Sequence, residues 1–152
     1  MTRLVLSALV ATLALPAVSV AATTYRLQVV GTEVPPITSS LGTFVGAADA
    51  PFGAWRIQIR HQPLRTGPTV AIDGGSFWMQ LRTGRRLRAA VVGGSVSVVD
   101  RGARCANQVY AVRVELTDGS FSGTLTHHRR SLFGHCLVFA ATISGNATLS
   151  IR

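Results

Sequence analysis

At 152 residues the chain has the size of one domain and is too short for several. Its 15 basic residues against 6 acidic ones give a formal net charge of +9, which favours anionic partners over cationic ones. Every basic residue is arginine, a side chain suited to bidentate contacts with phosphate, sulfate and carboxylate, although codon composition alone also produces such a bias.

Met1-Thr2-Arg3 is a short basic start, residues 4–15 form a nearly unbroken apolar run, and Pro16 breaks it. Ser19-Val20-Ala21-Ala22 then supplies the small residues that signal peptidase requires. Residues 1–22 therefore read as a cleaved secretory signal peptide, the alternative being an uncleaved anchor helix. No cysteine lies at the cleavage point and no Arg-Arg pair precedes the apolar run, which argues against a lipid anchor and against the twin-arginine route. The expected location is extracellular, or the cell envelope or periplasm. Residues 23–152 remain as a single β domain with a net charge near +8 once Arg3 is removed (14 − 6).

No segment of that domain sustains a helical period. Short alternating runs separated by turn residues are the pattern of an all-β protein. Residues 25–29, 55–61 and 77–82 alternate, and a longer run over 87–99 is interrupted by Gly93-Gly94, a pair that marks a bulge or a bend. Further strands fit 108–117, 120–128 and 137–151, the last with a possible break at Gly145-Asn146. Residues 31–53 hold Pro35-Pro36, Pro51 and several glycines around one short possible strand at 43–47. They read as a long surface connection, the alternative being a lid or binding loop. Gly53-Ala54-Trp55 resembles the Gly-x-Trp start of lipocalin and avidin-type barrels over those three residues, and the other lipocalin motifs are missing. The expected fold is a single antiparallel β-barrel of seven or eight strands, with a β-sandwich as the alternative.

Asp118-Gly119 between two alternating runs predicts a two-residue turn of the primed type, with positive φ at both residues. Leu116 then faces Phe121 and Tyr110 faces His127. Tyr110, Val112, Val114, Leu116, Phe121, Leu125 and His127 share the core face; Arg113, Glu115, Ser122, Thr124 and Thr126 share the other. Cys105 and Cys136 fall at the opposite end from this turn, and in an exported chain two cysteines predict a disulfide. If the strands run up and down, His61, Tyr110 and His127 gather at that same end beside Arg129-Arg130, as a candidate ligand-binding barrel mouth. Arg82, Arg85, Arg86 and Arg88 cluster around Thr83-Gly84 at the other end, as a candidate anion site.

Other chemistry finds little footing. His127, His128 and His135 with Cys136 have ligand chemistry, but adjacent histidines on a strand point to opposite faces and Cys136 is better used in the disulfide, so no metal is expected. No cofactor and no specific nucleic acid is expected either. Gly119-Ser120-Phe121-Ser122-Gly123 carries Phe where a nucleophile elbow needs serine. Trp78 shares parity with Gln80 and Arg82 and is expected on the outer face. The function expected is a non-catalytic exported binding protein for a small molecule held in the barrel, or for an anionic polymer or lipid surface held by arginines. The rivals are a cofactor-free isomerase or cyclase using His61, Tyr110 and His127, and a purely structural envelope module.

Overall fold

A computed structural model describes residues 21–36, 40–64 and 68–151; the expected signal peptide, but for Ala21 and Ala22, lies outside them. Eight strands are found among the described residues: β1 (Thr23–Glu33), β2 (Leu41–Ala48), β3 (Phe52–His61), β4 (Thr69–Leu81), β5 (Arg86–Asp100), β6 (Gln108–Leu116), β7 (Gly119–Leu132) and β8 (His135–Ile151). Each pairs antiparallel with its sequence neighbours, and β1 pairs with β8 from Thr23↔Ile151 to Thr32↔Thr142. That last ladder closes the barrel and removes the sandwich alternative, which would leave both strands as edges.

The strands form because alternation places their apolar residues on one face, and closure turns that face inward. Val29, Phe44, Ile57, Ile59, Met79, Val112, Val114, Leu125, Ile143 and Leu149 are buried in one core. Arg60, Asp73, Arg113 and Glu115 face outward into water. Apolar inside and polar outside is the reverse of the pattern a barrel needs in lipid. The indole of Trp55 crosses the interior so close to Gly31 and Gly46 that a methyl group on either would collide with it. What remains inside is an apolar cavity of about 30 Å³ lined by Val29, Trp55, Ile57, Phe77, Met79 and Leu116 among others, room for one or two waters.

The Gly93-Gly94 bend is present. The β5–β6 register shifts between Val91 and Gly93, and Gly94 has φ +135°. A Cβ on Gly94 would strike the Arg113 carbonyl oxygen of β6. Gly94→Ala is therefore expected to cost about 2–3 kcal/mol, from backbone strain plus overpacking. The control is Gly53→Ala, whose Cβ would meet only ordinary contact at 3.5 Å. Urea unfolding of the two variants checks this, and equal midpoints would contradict it.

Several expectations need correction. Residues 31–53 are not one long connection: β1 runs on to Glu33 and β2 occupies Leu41–Ala48, so the Gly and Pro residues sit mostly in strands and short links. Gly145-Asn146 does not break β8; Gly145 pairs with Gly123 of β7 and Asn146 with Ser122. The β6–β7 turn is Thr117-Asp118, with Leu116↔Gly119 and Tyr110↔Leu125 as partners, and neither turn residue has positive φ. Gly119 is needed for a different reason: a side chain there would collide with the Thr148 carbonyl oxygen on β8. Because the register differs from the expected one by two residues, every side chain keeps its expected face. The primed geometry appears instead at Phe133-Gly134, with φ +50° and +77°, which lengthens β7 to Leu132 and brings the start of β8 back to His135.

Candidate functional site

Alternation and closure sort the chemistry-bearing residues to the two ends of the barrel. One end holds the finishes of β1, β3, β5 and β7 and the disulfide Cys105–Cys136, with Cα atoms 5.4 Å apart. Here Glu33 points inward in register with Val29 and Gly31 and is buried. The Nε2–H of His127 on β7 donates to Glu33 Oε2 on β1 at 2.8 Å, the one contact within 4 Å between a basic and an acidic side chain among the described residues. The rings of Tyr110 and His127 meet edge to face at 5.1 Å, a diagonal contact in the observed register. The Tyr110 hydroxyl donates to Gln108 Oε1 at 3.1 Å. Burial pushes the Tyr110 phenol above its ordinary value, against the pull of the Arg129 and Arg101 guanidiniums, so it stays a hydrogen-bond donor.

His61 lies at this end on β3 and is buried, but its Nδ1 donates to the Gln62 carbonyl at 2.7 Å. The expected trio thus becomes Glu33, Tyr110 and His127, with His61 turned to its own strand end. His127 and His128 point apart as expected of strand neighbours, His128 hydrogen-bonding Thr142 Oγ1 at 3.0 Å. None of Glu33, Tyr110 and His127 lines the interior cavity. The arrangement ties β1, β6 and β7 together where the barrel would otherwise open.

The other end is built by the links β2–β3, β4–β5 and β6–β7. Gly84 at φ +83° makes the Thr83-Gly84 turn, closed by Gly84 N–H to Leu81 O at 3.0 Å and by Gln80 Nε2 to Gly84 O at 3.1 Å. Arg82, Arg85, Arg86 and Arg88 are all exposed. Arg85, Arg86 and Arg88 rim an open cleft of about 330 Å³ together with Asp118 and Ser150, over an apolar floor that includes Phe77, Leu87, Ala89 and Leu149. Arg82 is not part of this lining; its backbone N–H bonds the Pro51 carbonyl on the far side of the turn. Trp78 faces outward and is half-buried, because the Arg86 guanidinium lies 4.5 Å from its ring centroid.

No family model, curated protein or solved structure matches the chain.

The ends differ in kind. Among the described residues, none of the rim arginines has a carboxylate within 4 Å. The exposed large apolar residues among those described are Val30, Val34, Leu41, Val92, Val99, Leu132, Phe133, Leu137 and Phe139, and none belongs to the turns of the arginine end. Four of the nine lie on the β7–β8 hairpin at the disulfide end.

Proposed function

We propose that the protein is an exported, non-catalytic β-barrel binding protein that holds an acidic polysaccharide of the cell envelope across its arginine end. The observation that carries this reading is the open cleft whose three rim guanidiniums lack carboxylate partners among the described residues. Like charges lining one cleft repel one another, and an anionic chain relieves the repulsion while gaining bidentate hydrogen bonds. The apolar floor of Leu87 and Ala89 suits the C–H faces of sugar rings, and the absence of large exposed apolar groups in these turns favours a water-borne ligand over a bilayer.

A ligand inside the barrel draws no such support, since the interior cavity takes one or two waters. The isomerase reading meets the same obstacle, for Glu33, Tyr110 and His127 do not line that cavity.

The test is retention of the mature protein on immobilised polygalacturonate across a salt gradient. Binding is expected to weaken steeply with salt, because exposed charges are screened beyond about 8–10 Å at physiological ionic strength. Substituting Arg85, Arg86 and Arg88 together with serine should lower affinity by about tenfold or more while leaving the melting temperature near that of the parent. Equal retention of the triple variant and the parent would refute the site.

A further inference from the structure

The β7–β8 hairpin outruns the barrel. β6 pairs with β7 only as far as His127, and β1 pairs with β8 only as far as Thr142. Beyond those points the two strands pair with each other alone, through Arg129↔Val138, Arg130↔Leu137, Ser131↔Cys136 and Leu132↔His135. At about 3.4 Å per residue, positions 128–132 carry this ribbon roughly 17 Å.

Its two sides are unlike. The side bearing Arg129 and Cys136 is fastened to the loop before β6. The disulfide joins Cys136 to Cys105, and the Arg129 guanidinium donates to the carbonyls of Ala106 at 2.8 Å, Arg101 at 3.2 Å and Gly102. The opposite side carries Arg130, Leu132 and Leu137, and Phe139 at the bulge turns the same way, its ring 4.5 Å beneath the Arg130 guanidinium. Leu132 is 45%, Leu137 46% and Phe139 53% exposed, and Phe133 at the tip is 92% exposed.

A thin ribbon in water gains nothing from four such residues, and Phe133 also occupies a φ of +50°, which bulky residues avoid. Charge identifies what covers them. Arg130 lies on the hairpin itself, Arg101 and Arg104 lie in the loop that the disulfide and Arg129 fasten to it, and all three are exposed. Of the acidic groups at this end, Glu33 is taken by His127, Asp100 accepts the Gly102 N–H at 2.8 Å, and Asp73 on β4 accepts from Gln62 Nε2 at 3.5 Å. An apolar tip with exposed arginines on and beside its stem matches the interface of an anionic bilayer, where aromatic and leucine side chains enter the headgroup boundary and arginines meet phosphate.

We propose that this hairpin is a membrane-docking finger: Leu132, Phe133, Leu137 and Phe139 enter the surface of an anionic lipid bilayer, and Arg101, Arg104 and Arg130 bind its phosphates. The disulfide and the Arg129 bonds hold the finger ready, so docking needs little ordering. The finger lies at the opposite end from the polysaccharide cleft and does not depend on it.

The experiment is co-sedimentation of the mature, disulfide-intact protein with vesicles of phosphatidylcholine, alone or mixed with phosphatidylglycerol. The parent is expected to bind the mixed vesicles and to bind pure phosphatidylcholine far more weakly. Phe133→Ser with Phe139→Ser should lower binding by about tenfold or more, since each removes an interfacial anchor. Its melting temperature should hold, because both rings are exposed. The serine triple variant at Arg85, Arg86 and Arg88 should sediment as the parent does. The proposal is overturned if the parent ignores the mixed vesicles or binds both kinds equally. It is also overturned if the double variant binds unchanged, or if the arginine triple variant rather than the phenylalanine pair abolishes binding.

Discussion

His127→Leu is expected to destabilise the protein by about 1–3 kcal/mol, the usual cost of leaving a buried polar group without its hydrogen-bond partner. The histidine satisfies Glu33, whose side chain is only 5% exposed, and the two bridge strands that do not pair with each other. Removing the imidazole leaves a carboxyl group inside an apolar barrel, and Tyr110 loses the ring it packs against edge to face. The cost belongs to the orphaned carboxyl group more than to the bond, so Glu33→Leu combined with His127→Leu should recover most of the loss. Urea midpoints for the two single variants and the double variant decide this. A double variant as unstable as the sum of the singles would mean that the pair contributes packing alone.

Loss of the disulfide should be at least as severe. Cys105 and Cys136 are separated by 31 positions, and the chain-entropy model gives about 3–4 kcal/mol for closing a loop of that length. Cys136→Ala should accordingly lower the melting temperature of the whole domain. A second effect should be local. The bridge fastens the hairpin to the 101–107 loop where no third strand supports it, so the substitution should make Phe133 and its neighbours the first point of proteolytic attack. The Arg129 bonds to that loop remain and should limit the opening. Identical melting temperatures and identical digestion patterns for variant and parent would overturn both expectations.

The fold was legible because closure of an antiparallel barrel preserves the simplest signal a sequence has, the alternation of faces. Tyr110, Val112, Val114 and Leu116 point inward as their spacing requires, even though the turn after them is placed differently. The turn misled because glycine has two uses. At Gly119 it makes room for the backbone of β8, a need set by a strand about thirty residues later, so Asp-Gly there carries no information about φ. Phe133-Gly134 adopts the primed geometry without the residues that normally announce it. The glycines of β2 look like a linker in the sequence, whereas Gly46 is there to admit Trp55. Of the polar cluster, the histidine and tyrosine were visible from parity. Glu33 was not, since its partner lies 94 positions away and parity identifies a face but not a neighbour. Continuing the β1 alternation from Val29 through Gly31 would have placed it inside.

The ring of pairings also has a consequence for assembly. Seven of the eight ladders join strands adjacent in the chain and can form as soon as each hairpin is complete. The eighth joins Thr23 to Ile151, 128 positions apart, and must wait until β8 is made. Until then the chain is a curled sheet with two bare edges, β1 and β8, each offering a row of unsatisfied amides and carbonyls. Such edges recruit strands from other molecules, so the interval before the seam shuts is when the protein is most exposed to aggregation. Once shut, the seam removes the edges of β1 and β8 along the barrel wall, whereas the finger beyond His127 and Thr142 has no third strand beside it.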